Sequence, residues 1–162
     1  MILSRVSSGY GLTGTCLYNL NNSNAHSPIV GWAFDGYPIY GPYGYSNPNA
    51  TSSIKLITSG YALRGIATRT TLANGTTVSA GPEVNSTYPL GSFLEDYMWQ
   101  AGNGDLDACN GRWSVTPEYP QGTYAYYTTV NANMYPTYPF VFGSTYYGTA
   151  SKFLYFYTYF FN

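Results

Sequence analysis

Hydrophobic positions along this chain come in short runs that favour β-strands. The runs are rich in β-branched and aromatic residues and are bounded by Gly, Pro and Asn, as is typical of strands separated by turns. They span residues 29–34, 54–58, 66–73, 76–79, 113–116, 123–130 and 140–142. Asn74-Gly75 lies between two of these runs and predicts a tight hairpin turn.

One segment has the pattern of a short helix. Ser92 is a candidate N-cap because Glu95 follows it three residues later. Phe93 and Tyr97 would share a face, and Gly102 follows the end of the segment. The whole pattern therefore predicts a mainly β domain of two packed antiparallel sheets, sandwich-like, with long loops and at most one short helix.

The composition narrows the classes of protein to which the chain can belong. Only 8% of the 162 residues are charged, against about 25% in ordinary domains, and the net charge is −1. A basic face for nucleic acid is therefore not expected, and no apolar run approaches the length of a membrane span. A hydrophobic content of 44% predicts a folded core. A surface with so little charge favours association between copies.

Several features are typical of a secreted protein. Asn-x-Ser/Thr sequons occur in loop-like sequence at Asn21, Asn49, Asn74 and Asn85. The two cysteines, Cys16 and Cys109, are expected to form a disulfide, with a pair of buried thiols as the alternative. Residues 1–5 lack the apolar region of a signal peptide, so we expect a mature or incomplete N-terminus.

The stretch from His26 to Tyr45 reads HSPIVGWAFDGYPIYGPYGY and is the most informative run in the chain. Together with later segments in the same order, it resembles the YHYH-domain family of secreted proteins. Those later segments are YPLG at 88–91, EDY at 95–97, GDLD at 104–107, CNGR at 109–112, VTPEYP at 115–120, GTYAY at 122–126 and YYG at 146–148. The family's Tyr-His-Tyr-His run, which precedes a Cys-Leu-Tyr segment, is absent. Ser8-Gly9-Tyr10-Gly11 stands in its place, and His26 is the only histidine, so we expect any metal site formed by those histidines to be lost.

Acidic residues provide the strongest candidate for metal chemistry. Glu95, Asp96, Asp105 and Asp107 fall within 13 residues, and Asn103 and Asn110 add amide oxygens. Oxygen ligands in a turning loop suit Ca²⁺, which makes Asp105 and Asp107 candidate calcium ligands. The alternative is that these two residues cap turns while Arg112 pairs with one of them. No other cofactor is expected.

Other catalytic patterns are weaker. The run Gly9-Tyr10-Gly11-Leu12-Thr13-Gly14 matches a dinucleotide fingerprint, but no helix or βαβ pattern follows it. A nucleophilic triad would have to use His26, which lies in a turn-like stretch. Asp35 with Glu118 or Asp96 could form the carboxylate pair of a glycoside hydrolase, with Tyr and Trp stacking on sugar rings.

The C-terminus ends in an uncharged aromatic run, FLYFYTYFF, at residues 153–161. As a strand about 30 Å long, it would present Leu154, Phe156 and Phe160 on one face and Phe153, Tyr155, Tyr157, Tyr159 and Phe161 on the other. An exposed strand of this kind would aggregate, so it must be buried. It either completes its own sheet or inserts into a neighbouring copy, with residues 148–152 as the hinge.

These observations lead to two functional hypotheses. We expect residues 1–151 to form one YHYH-like β domain and residues 152–162 to be the C-terminal strand. The preferred hypothesis is an extracellular, glycosylated structural subunit that assembles with copies of itself into a filament through that strand. The alternative is a secreted carbohydrate-binding or glycoside-hydrolysing domain that uses Asp35, Glu118 and the acidic loop, and the sequence leaves open whether the protein is an enzyme.

Overall fold

A computed structural model describes residues 22–150 of the chain, and in this range the protein is mainly β, as predicted. The strands are β1 (Ile29–Trp32), β2 (Pro38–Tyr40), β3 (Tyr43–Tyr45), β4 (Ile54–Leu56), β5 (Tyr61–Leu63), β6 (Tyr97–Trp99), β7 (Gly111–Ser114) and β8 (Thr123–Tyr127). A single turn of 3₁₀-helix at Leu94–Asp96 precedes β6.

The described strands form a four-stranded sheet, in the order β1-β2-β8-β7, and two separate two-stranded sheets. β1 and β7 lie at the edges and run antiparallel to their neighbours, whereas the central pair β2 and β8 is parallel. This pairing is the main departure from the predicted antiparallel arrangement. It is possible because residues 41–122 separate the two strands and supply the long crossover that a parallel pair needs. β3 pairs with β4, and β5 pairs with β6.

The two central strands are buried on both faces of the sheet. Along β8, successive side chains alternate between two hydrophobic cores. The first core contains Ala33, Ile39, Tyr124, Tyr126 and Val141. The second contains Tyr40, Ile57, Leu106, Ala125 and Tyr127. Burial on both faces is the usual environment of parallel strands.

The structure corrects three of the predicted elements. Residues 66–73 and 76–79 form only one isolated bridge, Thr71 to Thr77, around the predicted Asn74-Gly75 turn. The first of these runs cannot be a regular strand because the buried Arg69 side chain directs the backbone into irregular contacts with residues 81–84. Residues 140–142 form turns rather than a strand.

The predicted helix is shorter than its pattern indicates. Phe93, not Ser92, is the N-cap, and the Asp96 carboxylate accepts the Phe93 amide at 3.1 Å. The Ser92 hydroxyl instead donates to the carbonyl of Pro89 at 2.7 Å. Because Asp96 also binds Arg69, its carboxylate is held at the start of the turn and the chain continues directly into β6.

Candidate functional site

The acidic residues that lie close together in the sequence are dispersed in the structure. Asp96 is fully buried, and its two oxygens accept hydrogen bonds from the Arg69 guanidinium at 2.7 and 2.9 Å. The amides of Gly91 and Phe93 also donate to it. Bonding to Arg69 lowers the pKa of Asp96 from 3.8 to about 2, so this carboxylate is an ionised structural hub.

The carboxylate oxygens of Asp105 and Asp107 also accept hydrogen bonds from groups of the protein. Asp105 accepts the Lys55 ammonium at 2.8 Å and both the amide and the hydroxyl of Thr58. Burial opposes ionisation of Asp105, but these donors outweigh it and lower the pKa. Asp107 accepts the amides of Cys109 and Gly111 and the hydroxyl of Tyr124.

These contacts do not favour the predicted calcium site, which stays a prediction. Within residues 22–150, no three His, Cys, Asp or Glu side chains converge on a point where a metal ion could bind. The alternative pairing with Arg112 is wrong. Lys55 is the partner of Asp105, and Arg112 donates to the carbonyl of Tyr45 while its guanidinium lies over the Tyr127 ring.

Asp35 fixes the end of the described chain to the first core. Its carboxylate accepts the Tyr126 hydroxyl at 2.6 Å and the Gly148 amide at 2.9 Å. The Tyr126 oxygen in turn accepts the Tyr147 amide at 2.8 Å, and the Tyr147 ring stacks on Tyr124 at 3.7 Å between ring centroids. Burial and then the Asp35 carboxylate raise the pKa of Tyr126, so its hydroxyl stays a donor. We call Asp35, Tyr126, Tyr147 and Gly148 the C-terminal clamp.

Glu118 belongs to the opposite face of the sheet. It accepts the hydroxyl of Tyr40 at 2.9 Å, and Tyr40 lies in the second core, whereas the Asp35 partner Tyr126 lies in the first. The structure therefore does not bring Asp35 and Glu118 together as a catalytic pair. Asp96 cannot replace either of them because Arg69 occupies its carboxylate.

His26 packs beside Glu118 in an aromatic environment. Its ring contacts those of Tyr40, Tyr45 and Tyr127, with centroids 4.9, 5.0 and 6.2 Å away. Nδ1 lies 2.8 Å from the Ser27 carbonyl. Burial lowers the pKa of His26, which favours the neutral ring. The histidine is therefore a packed residue of the second core rather than an accessible base.

The strand β1 presents an unusual edge. Among the described residues β2 is its one neighbour in the sheet, and its outward backbone groups have no backbone partner there. Trp32 is 58% exposed and Phe34, two residues later, is 71% exposed. No charged residue occurs between Ser27 and Phe34. Natural edge strands usually carry charge, proline or bulges that prevent pairing. β1 carries no charge, and the one interruption of its register is a bulge between Ile29 and Gly31.

A second apolar surface is an open groove of about 790 Å³. Its lining comes from Tyr61 of β5, from residues 72–74, from residues 94–99 including β6, from Ala108 and from the segment 138–144. Tyr97 and Tyr138 stack within it at 4.1 Å between ring centroids. Leu94 and Phe140 are 68% and 51% exposed, and Glu95 is the one charged residue in its lining. We call this surface the aromatic groove.

The other predicted site residues are accounted for as follows. Asn49, Asn74 and Asn85 are all exposed, as sequon positions must be for modification. Asn21, Cys16 and residues 153–161 lie outside the described residues. The Cys109 sulfur is 3.7 Å from the Thr145 hydroxyl. The Cys16–Cys109 disulfide therefore stays a prediction.

Sequence reasoning missed the edge at β1 and the aromatic groove. The run at residues 29–34 signalled a strand, but nothing in it indicates that its outer side is uncovered. The groove combines five segments that are distant in sequence, and residues 140–142 were predicted as a strand. Both the edge of β1 and the aromatic groove expose apolar residues, so these are the two surfaces at which we most expect a partner or a ligand to bind.

Comparison with known proteins identifies the family. Residues 9–139 match the family described as "YHYH protein", so the chain belongs to that family. The match begins at Gly9 and ends before the C-terminal aromatic run. No curated protein and no solved structure matches the chain. No helix within residues 22–150 has the length and hydropathy of a bilayer span.

Proposed function

We propose that this YHYH-family protein is an extracellular structural subunit that assembles with copies of itself by strand addition at β1. The observation that carries the proposal is the outer edge of β1, which has no charge and no strand paired with it among the described residues, although a bulge interrupts it between Ile29 and Gly31. In strand addition, main-chain hydrogen bonds provide affinity, and contacts with alternate side chains provide specificity. β1 offers both through its outward backbone groups and through Trp32 and Phe34 beside them.

The C-terminal aromatic run is the proposed donor strand. It follows the C-terminal clamp, which holds Gly148 against Asp35 just beyond the end of β1. The last residues that the structure describes before the donor segment therefore lie close to the edge that we propose as the acceptor. Passing the strand to the β1 of the next copy is a head-to-tail contact, and repetition of such a contact generates a filament.

The energetics allow such an association. Burying the five Phe and Leu side chains of residues 153–161 at about 1.5–3 kcal/mol each gives a gross gain on the order of 10 kcal/mol. Association costs about 4–15 kcal/mol, so this hydrophobic gain alone leaves the balance near zero. Each main-chain hydrogen bond to β1 adds about 0.5–1.5 kcal/mol and shifts the balance toward assembly.

Extracellular location is part of the proposal. The exposed sequons at Asn49, Asn74 and Asn85 support it, since attached glycans would hydrate a surface that has few charges. The predicted Cys16–Cys109 disulfide also requires an oxidising compartment. Mass spectrometry of the native protein with and without reduction tests this pairing, and two alkylatable thiols would disprove it.

Sedimentation velocity at micromolar concentration tests the assembly. We expect the full chain to form a series of oligomers, and we expect both deletion of residues 152–162 and Trp32→Lys to give folded monomers. Trp113→Lys is the matched control, because Trp113 is 56% exposed on β7, the opposite edge of the same sheet. Added peptide of residues 152–162 should bind the deleted protein and not its Trp32→Lys variant. A monomeric full chain, or loss of folding on deletion, would contradict the proposal.

Carbohydrate binding is the second candidate function, and the aromatic groove is the observation that favours it. Aromatic rings in a nearly uncharged, open groove can pack against the apolar faces of sugar rings. Glycoside hydrolysis has no comparable support, because Asp35 and Glu118 lie on opposite faces of the sheet.

A further inference from the structure

We infer that the aromatic groove binds the chain's own N-linked glycan, which is attached at Asn74. This inference rests on the extracellular, glycosylated part of the proposed function, and it assigns the groove a carbohydrate that the protein itself carries. Two independent observations lead to it, namely the position of the sequon on the groove and the conformation of one aromatic residue in its wall.

Asn74 is part of the lining of the aromatic groove and is exposed. Its Oδ1 accepts the Thr76 amide at 3.0 Å, which orients the side chain, and the Leu72–Thr76 backbone contacts fix the turn that carries it. A sugar linked to its Nδ2 would therefore start at the rim of the groove. Asn49 and Asn85, the other described sequon positions, do not line the groove.

The attachment is ordinary N-glycosylation with a polyprenyl-diphosphate-linked oligosaccharide as the co-substrate. The amide nitrogen of Asn74 attacks C1 of the first sugar, so that a C–N bond forms and the bond from C1 to the diphosphate oxygen breaks. The polyprenyl diphosphate leaves with the bonding electron pair, and the amide proton passes to a base of the transferase. No oxidant or reductant is needed.

Phe140 provides the second observation. Its φ is 72°, in the left-handed region that favours glycine and is an outlier for a bulky residue. Hydrogen bonds from the Phe140 amide to Thr137 and from Thr129 to the Phe140 carbonyl hold this conformation. The side chain is nevertheless half exposed in the groove, so the fold gains little from burying it. An apolar group that is not part of the polypeptide and that packs against the ring would explain why a bulky aromatic residue adopts this unfavourable backbone conformation.

The groove has the chemistry that a glycan needs. Leu94 and Phe140 present apolar surface to the apolar face of a sugar ring, and the hydroxyl groups of the sugar remain directed to solvent. Glu95 is the one charged residue in the lining, so a neutral ligand fits better than an ion. Covering these side chains would also remove an exposed apolar patch that otherwise promotes non-specific association.

The test compares the full chain with and without the Asn74 glycan, each with and without Phe140→Gly. The chain is produced in a eukaryotic secretory host, and Thr76→Ala removes the sequon while keeping Asn74 and its turn. We expect mass spectrometry to find Asn74 occupied. We also expect Phe140→Gly to lower the melting temperature by several degrees in the glycosylated protein, and to leave it unchanged or raise it in the Thr76→Ala protein.

Two matched controls accompany this comparison. Thr51→Ala removes the sequon at Asn49, away from the groove, and Tyr135→Ala removes an exposed aromatic ring outside the groove. Neither should couple to the Asn74 glycan. The inference is overturned if Asn74 is unmodified, or if Phe140→Gly has the same effect with and without the glycan. Binding of N-acetylglucosamine trimer to the fully glycosylated protein in a Phe140-dependent way would also overturn it.

These results are independent of strand addition. Failure of assembly leaves the occupancy of Asn74 and its coupling to Phe140 unchanged and is detected by sedimentation. An unoccupied Asn74, or a glycan that does not couple to Phe140, leaves the effect of deleting residues 152–162 unchanged.

Discussion

The four-stranded sheet and the segment between β5 and β6 are stabilised in different ways. The sheet buries Tyr40, Tyr124, Tyr126 and Tyr127 almost completely, and their rings pack in two cores with hydroxyl groups bonded at the edges. Residues 64–93 contain no strand, and buried charged side chains hold them: Arg69 pairs with Asp96, and Arg64 donates to Thr71 and to the carbonyl of Glu95. Stabilisation of the sheet is therefore shared among many apolar contacts, whereas that of the loop segment depends on a few charged side chains.

Arg69 shows how much of the loop depends on one residue. Beyond its two bonds to Asp96, its guanidinium donates to the carbonyls of Pro82, Tyr88 and Pro89. It also lies 4.6 Å above the centre of the Phe93 ring. A planar group with five donors can satisfy this many partners at once, which a lysine cannot do. The carbonyls so bonded span residues 82–89 of the loop, so this one side chain orders much of it.

The largest expected effect is that of Asp96→Asn. The substitution keeps the size of the side chain but leaves the buried Arg69 charge without a counter-ion, which costs about 3–5 kcal/mol of unfolding free energy. Urea denaturation measures the loss. The control is Glu95→Gln, an exposed neighbour, for which we expect a change within about 0.5 kcal/mol. Similar changes for the two variants would show that the loop segment does not depend on the ion pair.

Low pH should destabilise the loop segment by protonating the carboxylate of Asp96. The folded-state pKa of Asp96 is about 2, below its ordinary value of 3.8. Between these values the unfolded chain binds more protons than the native chain, so the stability present above about pH 4 is lost as the pH falls toward 2. The pH dependence of the unfolding free energy in this range should be steeper for the native sequence than for Asp96→Asn. Asp105 also has a lowered pKa, so some slope should remain in the variant.

A smaller effect is expected at the sheet, from Tyr126→Phe. The substitution keeps the ring in the first core but removes the hydroxyl that joins Asp35 to the Tyr147 amide. The loss of these bonds should cost about 1–3 kcal/mol. The amides of Tyr147 and Gly148 should also exchange their hydrogens faster.

Tyr43→Phe is the control for this variant, because the Tyr43 hydroxyl makes only a weak contact with the Met134 sulfur at 3.7 Å. We expect it to change the stability little and to leave exchange at residues 147–148 unchanged. Equal destabilisation by the two variants would mean that the hydroxyl of Tyr126 has no special role in the C-terminal clamp.

The contrast between the two regions also explains what the sequence could predict. The β-branched and aromatic runs located β1, β4, β7 and β8, and Asn74-Gly75 located a turn, because these signals are local. β2, β3, β5 and β6 have three residues each and, unlike the equally short β4, do not lie in a longer run of β-branched and aromatic residues, so their pattern was not separated from a loop. The runs that did match strands were sufficient to predict the mainly β class.

The long-range features could not be predicted in this way. Arg69 lies within a run that favours a strand, and nothing near it in sequence indicates that its partner is Asp96. The acidic cluster was predicted to act together because its members are close in sequence. In the structure Asp96, Asp105 and Asp107 each bind a different partner, and those partners come from distant segments. The candidate sites depend on this tertiary pairing, which is why the groove and the open edge emerged only from the fold.

The smallest expected effect comes from a second ion pair, Lys55 with Asp105, which has the same charges as the buried pair but more solvent around it. The Lys55 side chain is 41% exposed, and Thr58 continues to donate two hydrogen bonds to Asp105 when the lysine is removed. Lys55→Met should therefore cost no more than about 1 kcal/mol, and added salt should reduce the difference because it screens the exposed charge. The loss caused by Asp96→Asn should persist in the same salt, since that pair is buried. Urea denaturation of both variants at low and high salt makes the comparison, and a Lys55→Met effect as large and as salt-resistant as that of Asp96→Asn would remove the distinction between the buried ion pair of the loop segment and a partly exposed one elsewhere in the fold.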